Sequence, residues 1–66
     1  MLSANYLIFA RRAYQQPLEW IGDLRFDVEP TPEALDQRAR EQFGGESWVE
    51  MVAIPEAAIV RVIPME

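Results

Sequence analysis

Residues 18–28 read LEWIGDLRFDV and decide the fold, because apolar and mostly charged side chains alternate along them. A β-strand turns successive side chains to opposite faces. The stretch therefore predicts a half-buried antiparallel strand with one apolar and one solvated face. The apolar row consists of Leu18, Trp20, Gly22, Leu24, Phe26 and Val28. Its glycine indicates a bulge, a bend or space for a large neighbouring side chain.

Three other stretches predict further strands of the same sheet. Asn5–Arg11 is apolar on both faces, which favours a central strand or one covered on both sides. A short loop ending at Pro17 joins it to the alternating strand, and so short a link favours an antiparallel hairpin. Ser47–Ile54 predicts a third strand, and Ile59–Ile63, ended by Pro64, predicts a fourth.

The segment between the second and third strands predicts a helix over Pro32–Phe43. Thr31 is a suitable N-cap, proline suits the first turn, and Gly44-Gly45 ends the helix. The expected buried stripe consists of Leu35, Ala39 and Phe43, with Ala34 and Gln42 beside it. The order β-β-α-β-β predicts one α+β domain over residues 1–66, with the helix packed on a mainly antiparallel four-stranded sheet.

The composition disfavours several classes of function. Eleven acidic and six basic residues give a net charge of −5, whereas nucleic-acid binding usually needs a basic surface. No segment approaches the roughly 20 apolar residues that span a bilayer. Arg11 and Arg12 follow the apolar amino-terminal run, although a secretory signal has its basic residues first. We therefore expect a cytoplasmic protein that binds neither nucleic acid nor membrane.

The sequence contains no pattern typical of catalysis. It has no histidine and no cysteine, so it lacks an imidazole base, a thiolate nucleophile and an ordinary zinc site. Asp23 and Asp27 share the wet face of the second strand but would lie about 13 Å apart, too far to share an ion. We expect no catalytic residue, no cofactor and no metal, and thus a protein that is not an enzyme.

Partner binding is the remaining class of function. A chain of 66 residues buries only about 60% of its unfolded surface, and small domains often gain stability from another chain. Trp20 and Trp48 either fill the core or contact a partner, with Trp20 the stronger candidate for a contact. Arg11 and Arg12 either bind an acidic partner or remain solvated. We expect a sheet edge or an exposed sheet face to bind other subunits, a second copy, or both.

Several short motifs, in order over residues 6–59, resemble the B subunit of phenylacetyl-CoA epoxidase. They are Tyr6–Arg11, Trp20–Leu24, Ala34-Leu35 with Ala39-Arg40, Ser47–Val49, and Ile54-Pro55 with Ile59. The second strand of that family is usually histidine-rich, unlike the strand here. The resemblance implies a small noncatalytic subunit that helps to assemble a di-iron oxygenase of aromatic catabolism, with the iron ligands on another chain. The alternative is a stand-alone dimeric α+β module that binds a small ligand or regulates a partner.

Overall fold

The computed structural model describes residues 3–63 as an antiparallel sheet with a helix on one face. The three strands follow the order β2-β1-β3 across the sheet. Their bounds, with those of the helix, are β1 Ala4–Arg11, β2 Glu19–Phe26, α1 Pro32–Phe43 and β3 Glu50–Pro55. A short 3₁₀ helix, Glu56–Ala58, follows β3. The α+β class is confirmed, but the prediction of a four-stranded sheet is wrong.

The core lies between α1 and the inner face of the sheet. Tyr6, Ile8 and Ala10 alternate along β1 and are buried, and Leu24 of β2 and Ala39 of α1 are buried with them. The intervening side chains of β1 therefore point to the opposite face. β1 has a neighbour on each side, so its predicted central place and its antiparallel hairpin with β2 are confirmed.

Local signals define the ends of α1, and its predicted bounds are confirmed. The Thr31 hydroxyl accepts a hydrogen bond from the Ala34 N–H (3.1 Å) and thus caps the first turn. At the other end, the Gly44 N–H donates to the Arg40 carbonyl (2.9 Å). Ala34 and Gln42 are exposed, so the prediction that they join the buried stripe is wrong.

A bulge in β2 changes which side chains share a face. Ile8 pairs with Gly22 and Phe9 pairs with Trp20, which leaves Ile21 as an extra residue between the two pairs. Trp20 consequently lies on the opposite face of the sheet from Leu24. The predicted single apolar row is therefore wrong at Trp20, since one inserted residue reverses the alternation.

The Phe43 ring occupies the space above Gly22. A Cβ atom at position 22 would lie 2.7 Å from Cε1 and 2.8 Å from Cζ of that ring. Glycine is required here because the helix packs directly on the strand backbone. The predicted contact between Phe43 and the second strand is thus confirmed, and with it the space for a large neighbour.

The predicted fourth strand, Ile59–Ile63, is not a strand in the structure. The 3₁₀ helix before it lies against β1, where the Glu56 carboxylate accepts a hydrogen bond from the Asn5 amide (3.2 Å). Arg61 forms an ion pair with the same carboxylate (3.6 Å). The chain therefore turns back towards β1 instead of along the free edge of β3. Pro64, predicted to end the strand, lies outside the described residues.

A glycine pair tests the helix–strand contact. We expect Gly22→Ala to lower the free energy of unfolding by about 1–3 kcal/mol through overpacking against Phe43. Gly45→Ala is the matched control, since a Cβ there meets nothing within 4 Å. Denaturant unfolding measures both variants. Adding Phe43→Leu should recover part of the loss at Gly22, and purely additive effects in this double-mutant cycle would contradict the contact.

Tyr6 generates a prediction about alkaline pH. Burial, and then the hydrogen bond from its hydroxyl to the Glu29 carboxylate (3.0 Å), raise the pKa of Tyr6 above its ordinary value near 10. The folded pKa exceeds the unfolded one, so this stabilisation is complete below about pH 10 and is lost as pH rises through the folded pKa. Tyr6→Phe should reduce the alkaline loss of stability in denaturant titrations. Tyr14→Phe, which alters an exposed ring, should retain it.

Candidate protein-interaction site

The sheet face opposite the helix presents an apolar surface, interrupted on β2 by Asp23, which we call the open face. Directly paired residues point to the same side of an antiparallel sheet. One row across the strands is therefore Trp20, Phe9 and Val52, and the next is Asp23, Leu7 and Ile54, whose apolar members are Leu7 and Ile54. The open face is defined by the five apolar residues of these two rows. No described helix covers them, because α1 lies on the other side.

Polar side chains surround the open face at both ends. At one end, the Arg25 Nε donates to the Asn5 side-chain oxygen (3.3 Å), and the exposed Asp23 lies beside Leu7 in the adjacent row. At the other end, Arg11 and Glu50 form an ion pair (2.5 Å). An apolar centre with a polar rim is the usual anatomy of a protein–protein interface. The open face therefore has the composition of a binding surface.

Trp20 is the most exposed aromatic side chain of the open face, at 62%. Its partner on the central strand is Phe9, a second aromatic residue of the open face. Tryptophan is enriched among the residues that contribute most to binding, particularly at apolar centres. Of the two tryptophans predicted as partner residues, Trp20 is the one whose ring is mostly exposed.

Trp48 lies elsewhere, in the loop before β3, and is half-buried. Its indole Nε1–H donates to the Phe43 carbonyl (2.8 Å) at the end of α1. The Arg12 guanidinium lies over the indole ring, 5.0 Å from its centroid, and also forms an ion pair with Glu46. These contacts fasten the end of the helix to the loop before β3. Trp48 and Arg12 therefore stabilise the fold of their own chain.

Arg11 is likewise engaged within the chain. Besides its ion pair with Glu50, its guanidinium donates to the carbonyls of Tyr14 and Gln16, each at 3.2 Å. It thus holds the β1–β2 loop next to the start of β3. The sequence left two alternatives for Arg11 and Arg12, binding to an acidic partner or exposure to solvent. In the structure, both arginines form ion pairs with glutamates of the same chain.

A groove of about 470 Å³ separates α1 from the inner face of β3. It exists because the helix packs over β1 and β2 through the Phe43–Gly22 contact. Its apolar wall includes Met51 and Ala53 of β3, while Asp36 and Arg40 on the helix side pair with each other (3.0 Å). The volume falls in the range of small-molecule sites, although the groove is open to solvent.

Sequence reasoning missed four members of the open face: Leu7, Phe9, Val52 and Ile54. The apolar character of both faces of β1 was the available signal, but it was interpreted as central placement or cover on both sides. Asp23 and Asp27 are both exposed, as predicted for a solvated face. Over residues 3–63, no group of three His, Cys, Asp or Glu side chains could hold a metal ion.

Comparison with protein-family models, with curated proteins and with solved structures finds no match to this chain. Within the described part of the chain, no helix has the length and apolar character needed to cross a membrane. The functional interpretation therefore depends on the surface itself.

The two tryptophans should differ in their effects on stability. We expect Trp48→Ala to lower the free energy of unfolding by about 2–3 kcal/mol, since it loses packing and the bond to the Phe43 carbonyl. Trp20→Ala should change it by only about 0.5–1 kcal/mol, because most of the ring is exposed. Thermal and urea unfolding measure both. A larger loss from Trp20→Ala would place that indole in the stabilising core and contradict its assignment to a binding surface.

Proposed function

We propose that this chain is a noncatalytic accessory subunit that binds another protein chain through its open face. The main support is the row Trp20–Phe9–Val52, an apolar strip across all three strands. Polar side chains lie on both sides of this strip along the strand direction. Scattered apolar residues are normal on a protein surface, but a contiguous patch typically marks an interaction site. A partner that covers the strip would remove it from water.

The charges around the strip favour the open face over the basic pair as the docking surface. Arg11 and Arg12 are each matched by a glutamate of the same chain, so an acidic partner would have to displace those ion pairs. Docking on the open face requires no such exchange. The partner surface best suited to it is apolar at its centre, with polar groups opposite Asp23 and Arg25.

The resemblance to the B subunit of phenylacetyl-CoA epoxidase suggests which partner this is. The two motifs at Tyr6–Arg11 and Trp20–Leu24 include three members of the open face, namely Leu7, Phe9 and Trp20. On this proposal, the partner is the catalytic or structural subunit of a phenylacetyl-CoA-type di-iron oxygenase, and the iron ligands belong to that partner. A chain without histidine or cysteine is compatible with such a role.

The α1–β3 groove favours one second candidate function, a module that binds a small ligand. Its apolar wall and its volume would suit a molecule with an apolar body. A thermal-shift screen of aromatic acids and acyl thioesters separates the two functions. Stabilisation by such a ligand, abolished by Ala53→Trp in the groove and unchanged by Trp20→Ala, would favour the module over the accessory subunit.

The proposed function predicts a specific loss of partner binding. Affinity-tagged chain expressed in its native cells should recover oxygenase subunits, identified by mass spectrometry. We expect Trp20→Ala to weaken the reconstituted complex by about 2 kcal/mol, close to 30-fold in Kd. Titration calorimetry measures the change. The matched control is Tyr14→Ala, which removes another exposed aromatic ring (73%) that lies in the β1–β2 loop.

Two results would contradict the proposal. Equal binding by wild type and Trp20→Ala would exclude the open face as the contact. Recovery of no oxygenase chain, from cells that express the oxygenase genes, would reject the assignment to that complex. Oxygenase genes beside the gene for this chain would support it.

A further inference from the structure

The outer edge of β3 is the less protected of the two sheet edges. β3 pairs with β1 alone among the described residues. Its six residues contain one charged side chain, Glu50, and run without a bulge. The β2 edge, in contrast, carries Glu19, Asp23 and Arg25 and is interrupted at Ile21. Charges, prolines and bulges are the usual means of blocking strand addition. β3 has only Glu50 and Pro55, at its two ends, so its middle is the part of the sheet edge that is open to another strand.

The chain also contains a segment with strand character and no strand partner. Residues 59–63 read IVRVI, with four β-branched residues around one arginine. Val60, Val62 and Ile63 are 85%, 88% and 89% exposed, the highest values for large apolar residues in the described chain. Such a sequence favours a strand, and exposing it to water is unfavourable.

The segment does not reach the β3 edge of its own chain. The 3₁₀ helix Glu56–Ala58 follows β3 immediately and lies against β1. The hydrogen bond from Asn5 to Glu56 and the ion pair of Glu56 with Arg61 hold the chain on that side. Residues 59–63 thus follow a 3₁₀ helix that lies on the β1 side of β3, away from the free edge of β3.

We infer that residues 59–63 of one copy add as a strand to the β3 edge of a second copy, and that the exchange is reciprocal. Five extended residues span about 16 Å, which matches most of a six-residue edge. Arg61 and Glu50 have opposite charges, and pairing them across the two copies requires each to leave its present ion pair, with Glu56 and with Arg11. A reciprocal exchange gives a symmetric dimer in which each four-stranded sheet contains one strand from the other chain.

A matched set of valines tests this dimer in the full chain. Val60→Asp and Val62→Asp place a charge in the exchanged strand, whereas Val28→Asp changes a valine of the β2–α1 loop that is 74% exposed. Sedimentation velocity should show the wild type and Val28→Asp as dimers of the 7.6-kDa chain at micromolar concentration. At least one of the two variants in residues 59–63 should raise the dimer dissociation constant tenfold or more. All three should retain the wild-type circular dichroism, because each side chain is exposed in the single copy.

Hydrogen exchange provides the second measurement. Amides of residues 59–63 should be protected in the dimer and exchange freely on dilution to the monomer. Protection that is independent of concentration would place the segment on its own β3 and overturn the inference. A wild-type monomer up to high micromolar concentration, or a dimer indifferent to both substitutions in residues 59–63, would also overturn it. Trp20→Ala should leave this dimer intact. Failure of the strand-exchange inference is therefore distinguishable from failure of the proposed function.

Discussion

The packing of the Phe43 ring on the backbone of Gly22 is the constraint on which the other features depend. It places the end of the helix over β2, and Arg38 above the Phe26 ring (5.2 Å) supports the same placement. One helix is too narrow to cover three strands, since its diameter is about 10–12 Å. The inner face of β3 is therefore left beside a groove, and the outer face of the whole sheet has no helix at all among the described residues.

The bulge next to this contact divides β2 between the two faces of the sheet. Leu24 joins the core, while Trp20 moves to the open face beside Phe9. Without the extra residue, both would point towards the helix, and the open face would lose its largest side chain. A single inserted residue thus serves packing on one side of the sheet and exposes an aromatic ring on the other.

The parts of this structure that could be predicted are those determined by neighbouring residues. The helix bounds follow from Thr31, Pro32 and Gly44, and the central place of β1 follows from its apolar character. The bulge could not be predicted from residues 18–28, because a perfect alternation conceals the insertion of one unpaired residue. The pairings of Arg11 and Arg12 with Glu50 and Glu46 were also missed, since they join residues that are 34 or more positions apart.

The same distinction applies to the candidate site. Trp20 could be predicted as a candidate contact because two tryptophans exceed what one helix can cover in so small a domain. The strip formed with Phe9 and Val52 required the strand register, which depends on the bulge and on pairing between distant segments. Residues 59–63 have the propensity of a strand, but propensity does not determine whether an unpaired edge lies within reach of the chain.

The different settings of the two tryptophans have a spectroscopic consequence. The Trp48 indole is bonded to the Phe43 carbonyl and half-buried, whereas the Trp20 indole faces water. The fluorescence emission of Trp48 therefore reports whether the end of the helix is packed on the loop before β3. The emission of Trp20 reports whether another molecule covers the open face. Replacing either one with phenylalanine leaves a single tryptophan, whose emission can be excited selectively over that of the two tyrosines. The chain thus carries two intrinsic optical probes, one for its own folding and one for the occupancy of its surface.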